Sequence, residues 1–322
     1  MHIESVTRLE GRKKDLWQAL LAKAELQADE AWEQTALLWE GDRLLATGSR
    51  MGNLIKCLAV EPARRGEGLL AQVLTALRQE AFAQGKGHLF LYTKPSNLEH
   101  LRSLFFYPVA STPEVLLMEN KKNGIDWFLS ALPVIPAEGI VGAAVMNCDP
   151  FTRGHLHLVE TAAAQCSRVY VFVLSEDKGH FSGADRLAMV QAGTAHLPNV
   201  TVLPTGPYLI SAATFPTYFL KNRDKADTLQ CALDIEIFCK HFAPHFGITR
   251  RYVGTESLSP MTARYNEALK AGLYGVTLQE IPRLEAEGAP ISASAVRRLL
   301  EAGDRAALEA LLPPTTLEYI FR

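Results

Sequence analysis

The spacing of apolar and polar positions in the first third of the chain is typical of short strands packed against helices. The predicted elements are a helix over 14–26, strands over 35–40, 43–49 and 54–60, a helix from Leu70, a strand over 88–93, a short helix over 98–104 and a strand over 114–119. A Gly-Asp turn joins the first two strands as a hairpin. This order predicts an α+β domain whose strands are mostly antiparallel.

Strands and helices alternate in the remainder of the chain. Predicted strands lie over 140–146, 168–174, 199–204, 250–254 and 276–282, and SASAVRRLLEAG follows as a helix. This alternation predicts a parallel, doubly wound sheet. The stretch KKNGIDWFLSALPVIP, with its charges, glycine and prolines, reads as a connection. We therefore predict one domain over 1–125, a connection over 126–138 and a second domain over 139–322.

Composition and charge exclude several classes of protein. The chain of 322 residues is 48% hydrophobic and 21% charged, with a formal net charge of −2. That balance gives no electrostatic reason to expect binding to nucleic acid or to an anionic membrane. We find no apolar run long enough to span a membrane and no signal peptide core. The 5 cysteines have no regular spacing, so we expect them reduced and the protein cytoplasmic.

The stretch NCDPFTRGHLHL, at 147–158, separates the apolar strand 140–146 from a helical pattern. Turns of this kind lie at the carboxyl edge of a parallel sheet, where ligands bind. The free amides at the start of a helix attract anions, and phosphate is the expected ligand. A single histidine here could be a surface or capping residue, but that interpretation must also explain the proline and the glycine.

A second candidate phosphate site is ISASAVRR, at 291–298. Ser292 and Ser294 can cap a helix or donate to phosphate oxygens. Arg297 follows Ser294 by one helical turn, so both lie on the same side of the helix start. A guanidinium group suits phosphate well. Taken alone, the stretch is better explained as an ordinary N-cap followed by a surface arginine, and its pairing with the turn at 147–155 is what favours a phosphate site.

Together the two stretches resemble the signatures of the nucleotidyltransferase superfamily: PFTRGH matches its Thr/His-x-Gly-His motif, and ISASAVR matches its late motif. The resemblance implies a Rossmann-like domain in which the Gly-His histidine stabilises the α-phosphate and the late motif holds the β- and γ-phosphates. The residues implied as catalytic are His155, Thr152 and Arg297. Those implied as nucleotide-binding are Asn147, Pro150, Phe151, Gly154, Ser292 and Ser294. His157 is expected to point elsewhere on the helix.

At a finer level the chain resembles the [citrate (pro-3S)-lyase] ligase family. The stretches that carry this resemblance are MNCDPFTRGHLHLVE, SEDKGHFSGADR, GPYLISAATFPTYFLK, YVGTESLSPMTARYNEAL and ISASAVRRLL. It implies that ATP, with Mg²⁺, activates acetate. It also implies acetylation of the thiol of a phosphoribosyl-dephospho-CoA group on the acyl carrier subunit of citrate lyase, with release of AMP and pyrophosphate.

The stretch GTES has two interpretations. Gly254 and Glu256 either contact the nucleotide or substrate, or form a turn that closes the strand RYVG. The family pattern has a proline after the glutamate, whereas this chain has Ser257.

In the first domain, VEPARRGEGLLAQVL resembles the acyl-CoA loop of GNAT acetyltransferases, with Arg65 and Gly68 matching that pattern. Backbone amides at a helix start can hold a pyrophosphate there. Leu70 stands where a glycine or alanine is usual, which disfavours acetyl-CoA turnover. The loop therefore either grips the CoA-like arm of the prosthetic group or belongs to a purely structural domain. The fold class is thus a GNAT-like α+β domain followed by a Rossmann-like nucleotidyltransferase domain.

Two other functions share some of these features. An adenylyl- or cytidylyltransferase of cofactor synthesis, such as phosphopantetheine adenylyltransferase, has both phosphate motifs but needs no first domain. A GNAT protein acetyltransferase with a nucleotide-sensing second domain is the alternative of another class. Acetate-dependent release of pyrophosphate distinguishes the ligase from both. Cys148 lies inside the first motif, and we interpret it as structural rather than as a nucleophile.

Overall fold

A computed structural model of the protein describes residues 1–177, 179–211, 215–220, 225–256, 260–286 and 288–322. The chain divides into two compact units. The first combines Met1–Gly124 with Pro216–Leu229, and the second combines Ile125–Phe215 with Gln230–Arg322. The sequence prediction assigned all of 139–322 to one domain, so the membership of Pro216–Leu229 in the first unit is a difference. Part of the predicted connection is helical in the structure, because a helix covers Gly124–Ser130.

The first unit is a mixed sheet packed against helices. Its elements are β1 His2–Val6, α1 Gly11–Lys23, β2 Gln34–Glu40, β3 Arg43–Met51, β4 Leu54–Val60, α2 Leu69–Ala83, β5 Phe90–Thr93, α3 Leu98–Ser103, β6 Tyr107–Ser111 and β7 Leu116–Glu119. The 7-stranded sheet has the order β1-β2-β3-β4-β5-β7-β6. Every neighbouring pair is antiparallel except β4 and β5. The α+β prediction is confirmed.

Helix α2 covers one face of this sheet. Leu69, Val73, Leu74 and Leu77 are buried against the sheet, and Leu70 is partly buried. Gly48 on β3 allows the close approach, since a Cβ atom there would lie 2.6 Å from Leu58 and 2.9 Å from Val73. The helix therefore fixes the position of the loop that precedes it.

The sequence analysis missed β1 and β6. Strand β1 is an edge strand with little burial, so its sequence lacks the apolar run of a buried strand. Strand β6 is the other edge, and it contains Pro108 next to a register shift against β7. Proline is tolerated at an edge or a bulge but masks the strand pattern in the sequence.

The second unit is a parallel sheet enclosed by helices. Its elements are α4 Gly124–Ser130, β8 Val141–Met146, α5 Arg153–Gln165, β9 Arg168–Val173, α6 Gly183–Thr194, β10 Val200–Pro204, α7 Ala226–Ile237, α8 Ala243–Phe246, β11 Arg250–Gly254, α9 Pro260–Gly272, β12 Thr277–Ile281, β13 Glu285–Ala286, β14 Ala289–Pro290, α10 Ala293–Ala302, α11 Arg305–Leu311 and α12 Pro314–Ile320. The first residues of α4 and α7 fall in the first unit.

The 5-stranded sheet has the order β10-β9-β8-β11-β12, and all of its pairs are parallel. Each of its strands was predicted to within two residues. The chain runs outward from β8 through β9 to β10, then returns to the other side of β8 at β11. This reversal creates a crevice at the carboxyl ends of β8 and β11, where ligands bind in open α/β sheets. The Rossmann-like prediction is confirmed. In the described part of the chain, no helix is long and apolar enough to cross a membrane.

Candidate functional site

The turn between β8 and α5 is built around a reciprocal cap. Thr152 is the N-cap of α5, and its hydroxyl accepts a hydrogen bond from the backbone amide of His155 at 3.3 Å. In return, the backbone amide of Thr152 donates to Nδ1 of the His155 ring at 3.1 Å. Two amides of the helix start are satisfied in this way, and the imidazole is fixed in one orientation.

The hydrogen bond to Nδ1 determines which nitrogen of the His155 ring carries the proton. Because Nδ1 accepts from an amide, the proton of the neutral ring is on Nε2. Burial lowers the pKa of His155 from 6.5 to about 4, and the positive charge of Arg283 adds to this effect. At neutral pH the ring is therefore an uncharged donor through Nε2.

The side chain of Phe151 packs beside the His155 ring. It is fully buried and lies parallel to the imidazole, with ring centroids 6.0 Å apart and 12° between the planes. On its other side it contacts α6, where a Cβ atom on Gly193 would come within 2.4 Å of the Phe151 ring. Pro150 is also buried. Both residues were predicted to bind nucleotide, and the structure places Phe151 in the core under the turn.

The second motif lies directly against the first. A Cβ atom on Gly154 would lie 3.5 Å from the carbonyl oxygen of Ile291, so the segment before α10 crosses the start of α5. Ser292 caps α10 by accepting from the amide of Ala295 at 3.2 Å. Arg297 donates to the carbonyl oxygen of Asp149 and, at 3.2 Å, to the hydroxyl of Ser294. The two stretches, far apart in sequence, thus form one site.

Asp149 ties this site to the chain that follows β9. Its carboxylate accepts hydrogen bonds from the backbone amides of His180 and Phe181, each at 2.9 Å. The same carboxylate lies 3.6 Å from the Arg297 guanidinium. Gly179 permits this approach, since a Cβ atom there would be 2.7 Å from the carboxylate. Sequence reasoning gave Asp149 no role, although it stands inside the first motif.

Arg186 of α6 holds the other end of the turn. It is 1% exposed and donates to the backbone oxygen of Asn147 at 2.8 Å and to its side-chain oxygen. It also donates to the backbone oxygen of Glu176. Asn147, a predicted nucleotide ligand, is exposed at the sheet edge with both oxygens on Arg186. The sequence analysis did not identify Arg186. The one feature that could have indicated a buried role is its charge within the largely apolar stretch GADRLAMV.

At the end of β11, Glu256 is paired with Arg283. Arg283 also donates to the carbonyl oxygen of Thr255 at 2.7 Å, and Gly254 accepts from Asn266 through its carbonyl oxygen at 2.9 Å. These contacts favour a turn that closes the strand over a direct ligand role for Glu256. The same contacts hold Arg283 near His155. The sequence analysis did not identify Arg283. Ser257 lies outside the described residues.

The predicted loop of the first unit borders a cleft of about 690 Å³. Gly68 is the N-cap of α2, with φ 72°, and a Cβ atom there would meet nothing within 4 Å. Arg64 is held by Glu40 and Glu67, at 2.8 and 2.7 Å. By contrast, Arg65 is exposed and makes no ion pair within the described residues. The arginine in the GNAT-like pattern is thus the one left available to a ligand.

All five cysteines are buried thiols, and burial raises the pKa of the Cys148 thiol far above its ordinary value. This agrees with a structural role for Cys148. Among the residues that the structure describes, there is no group of three or more His, Cys, Asp or Glu side chains arranged to hold a metal ion.

The fold and these contacts define a two-unit protein with a mixed α+β first unit and a Rossmann-like second unit, in which the two motif stretches form one candidate site. Its family follows from sequence comparison. The "Citrate lyase ligase C-terminal domain" family matches residues 141–320. The [Citrate [pro-3S]-lyase] ligase of Klebsiella pneumoniae is 37% identical over 310 residues, covering 94% of this chain and 91% of that protein. The enzyme of the same name from Escherichia coli K12 is 37% identical over 324 residues, covering 98% and 92%. The chain belongs to the [citrate [pro-3S]-lyase] ligase family, as the motifs indicated.

Other similarities are shorter or weaker. Phosphopantetheine adenylyltransferase of Corynebacterium glutamicum is 39% identical over 69 residues, which is 20% of this chain and 43% of that enzyme. Among solved structures, Escherichia coli ElaA covers 37% of this chain at 15% identity and a TM-score of 0.33. Thermotoga maritima TmcAL, bound with α-thio ATP, covers 57% at 14% identity and a TM-score of 0.38. Scores this low add nothing to the topology described above.

Proposed function

We propose that this protein is an ATP-dependent acid–thiol ligase that activates acetate as acetyl-AMP. It then acetylates the thiol of the phosphoribosyl-dephospho-CoA group on the acyl carrier subunit of citrate lyase. AMP and pyrophosphate are the other products. The observation that carries this proposal is the contact of Arg297 with Asp149, which joins the two phosphate-binding motifs in a chain of the citrate lyase ligase family.

His155 is assigned to the α-phosphate. Its Nε2–H donor projects from the start of α5, where free amides also favour an anion. In the first step an acetate oxygen attacks the α-phosphorus, and the bond to the leaving pyrophosphate breaks. Negative charge grows on the α-phosphate oxygens, and a preorganised donor stabilises it. A neutral imidazole supplies this donor without needing to be protonated, in agreement with its lowered pKa.

Arg297, Ser292 and Ser294 are assigned to the β- and γ-phosphates. Arg297 has five N–H donors, and its contacts with Asp149 and Ser294 use only part of this capacity. Ser294 is exposed beside it. Arg283, near the His155 ring, is the additional cation at the same edge. Positive charge and donors at these oxygens help pyrophosphate to leave.

Mg²⁺ is proposed to enter with ATP. Mg²⁺ is usually held by one or two carboxylates, waters and substrate phosphates rather than by an all-protein cage. The Asp149 carboxylate already accepts two amides and faces Arg297, so the described residues fit an ion carried mainly by the triphosphate. When bound, it would neutralise charge on the leaving pyrophosphate.

In the second step, the carrier thiolate attacks the acetyl carbonyl carbon of acetyl-AMP. The carbon–oxygen bond to AMP breaks, AMP leaves and the thioester forms. The first unit is proposed to hold the CoA-like arm of the thiol substrate. Arg65 and the amides after Gly68 stand at the mouth of the cleft and suit the arm's pyrophosphate. Binding energy from the remote arm then orients the thiol.

Pyrophosphate release tests this function. The purified full chain is incubated with ATP and Mg²⁺, with or without acetate, and with either the citrate lyase carrier subunit or phosphopantetheine. We expect release that requires acetate, and acetylation of the carrier thiol. Release that requires phosphopantetheine but not acetate would instead support an adenylyltransferase. This alternative is included because of the 69-residue similarity to phosphopantetheine adenylyltransferase. In a parallel incubation with acetyl-CoA in place of acetate, consumption of acetyl-CoA without release of pyrophosphate would support an acetyltransferase.

A further inference from the structure

The cleft of the first unit is lined by β4 and β5, which separate after a short paired stretch. These parallel strands pair only at Leu54 with Phe90 and at Ile55 with Leu91. Beyond that point both strands continue as walls of the cleft, over 58–60 and 91–93. The loop with Arg65 and Gly68 lies at the other end, after β4 has ended. A ligand anchored at this loop would therefore run inward between the two strands.

Tyr218 fills the inner end of this cleft. Its hydroxyl donates to the carbonyl oxygen of Tyr92, one residue beyond the last β5 pair, at 2.9 Å. The backbone of Cys57, two residues beyond the last β4 pair, also hydrogen bonds to the phenol oxygen. The phenol thus bridges the two strands at the place where their own pairing stops.

Several contacts hold Tyr218 in this position. Its carbonyl oxygen accepts from the backbone amide of Gln27 at 2.8 Å, and the Gln27 side chain donates to the carbonyl oxygen of Leu220 at 3.3 Å. The side chain of Tyr218 is 5% exposed, and Phe219 packs edge-on against it with ring centroids 5.3 Å apart. Burial raises the pKa of the Tyr218 phenol well above its ordinary value, so the hydroxyl keeps its proton. The inner wall is therefore a fixed ring.

Because the Tyr218 ring is fixed, it limits the length of the ligand that the cleft can accept. The open part of β4, over 58–60, provides about 10 Å at ~3.3 Å per residue. The reactive end of an extended arm anchored at Arg65 would meet the phenol. A free thiol ends at its sulfur atom, whereas an acetyl thioester extends further by a carbonyl group and a methyl group. Additional atoms forced against a packed ring are unfavourable.

We propose that Tyr218 determines specificity at the inner end of this cleft by admitting the free thiol of a CoA-like arm and excluding its acetyl thioester. This inference rests on the proposed role of the cleft in binding that arm. Its consequence is directional, because the free arm is held until its thiol turns out of the cleft to react, and the acetylated arm does not re-enter.

CoA and acetyl-CoA are suitable probes, because they differ only in the acetyl group. Isothermal titration of the wild-type full chain should show CoA binding about tenfold or more tightly than acetyl-CoA. Tyr218→Ala should bring the two dissociation constants close together, mainly by improving acetyl-CoA binding. Tyr218→Phe keeps the ring and should keep the preference. The matched control is Phe82→Ala, because Phe82 is 78% exposed on α2 and should have no effect.

Two results would overturn the inference alone: equal binding of CoA and acetyl-CoA to the wild type, or an unchanged preference in folded Tyr218→Ala. Circular dichroism reports the folding of each variant, and Tyr218→Leu replaces the alanine variant if that protein does not fold. Absence of CoA binding to the wild type would instead overturn the proposed role of the cleft, and this inference with it. Acetate-dependent pyrophosphate release by the same preparation tests the second unit separately.

Discussion

Replacing His155 by alanine separates the chemistry of the β8–α5 turn from its folding. The change removes the Nε2–H donor assigned to the α-phosphate and the Nδ1 atom that accepts from Thr152 at 3.1 Å. Loss of one preorganised donor to a developing oxyanion costs about 10²–10³ in kcat, or about 2.7–4 kcal/mol. Loss of a capping hydrogen bond costs about 1 kcal/mol of unfolding free energy. We therefore expect a large loss of turnover in a protein that remains folded.

The assay is acetate-dependent pyrophosphate release at saturating ATP, measured beside urea unfolding of the same preparation. His155→Gln is the first control. Glutamine at the third helical position can accept from the N-cap amide as in a capping box. We expect it to recover stability but to leave turnover at least about tenfold low, because it lacks the rigid ring donor. His157→Ala is the second control, since residues two apart on a helix do not share a face.

Three results would refute this assignment. Turnover of folded His155→Ala within about threefold of wild type would remove the donor role, because that role predicts a loss of about 10² or more. Full recovery of turnover in His155→Gln would make His155 a helix cap only. An equal loss in His157→Ala would assign the donor role to His157 or indicate a general disturbance of the helix.

The remaining predictions concern pH and the two arginines. Because the pKa of His155 is lowered from 6.5 to about 4, the folded state binds fewer protons between these values, and its stability should fall as pH drops through that range. Urea unfolding at pH 7 and pH 5 should show a smaller difference for His155→Ala than for wild type. Arg297→Lys should weaken ATP binding and turnover because the planar fork is lost, and unchanged ATP titrations would make Arg297 a surface residue. Arg65→Ala combined with Gly68→Asn, which tolerates the positive φ, should spare acetyl-AMP formation and reduce acetylation of the carrier, and equal loss of both activities in parallel assays would contradict this.

The sequence by itself determined the local structure of the second unit. Each strand of the parallel sheet was predicted to within two residues. The signal was strongest for β8 and β9, because strands buried on both faces are continuous apolar runs. The two motif stretches were recognised for a similar reason, because the residues of each motif are close neighbours in the sequence.

Tertiary structure alone decided which distant segments meet. The sequence placed Arg297 on a helix start, but only the sheet order brought it against Asp149. Arg186 and Arg283 belong to neither motif, and their contacts with backbone oxygens and with the His155 ring follow from the fold. Tyr218 is the clearest case, because its segment lies within the alternation of the second unit in sequence yet completes the first. Local periodicity reports which face of an element is buried, whereas contacts between segments far apart in the chain depend on how whole sheets and helices pack.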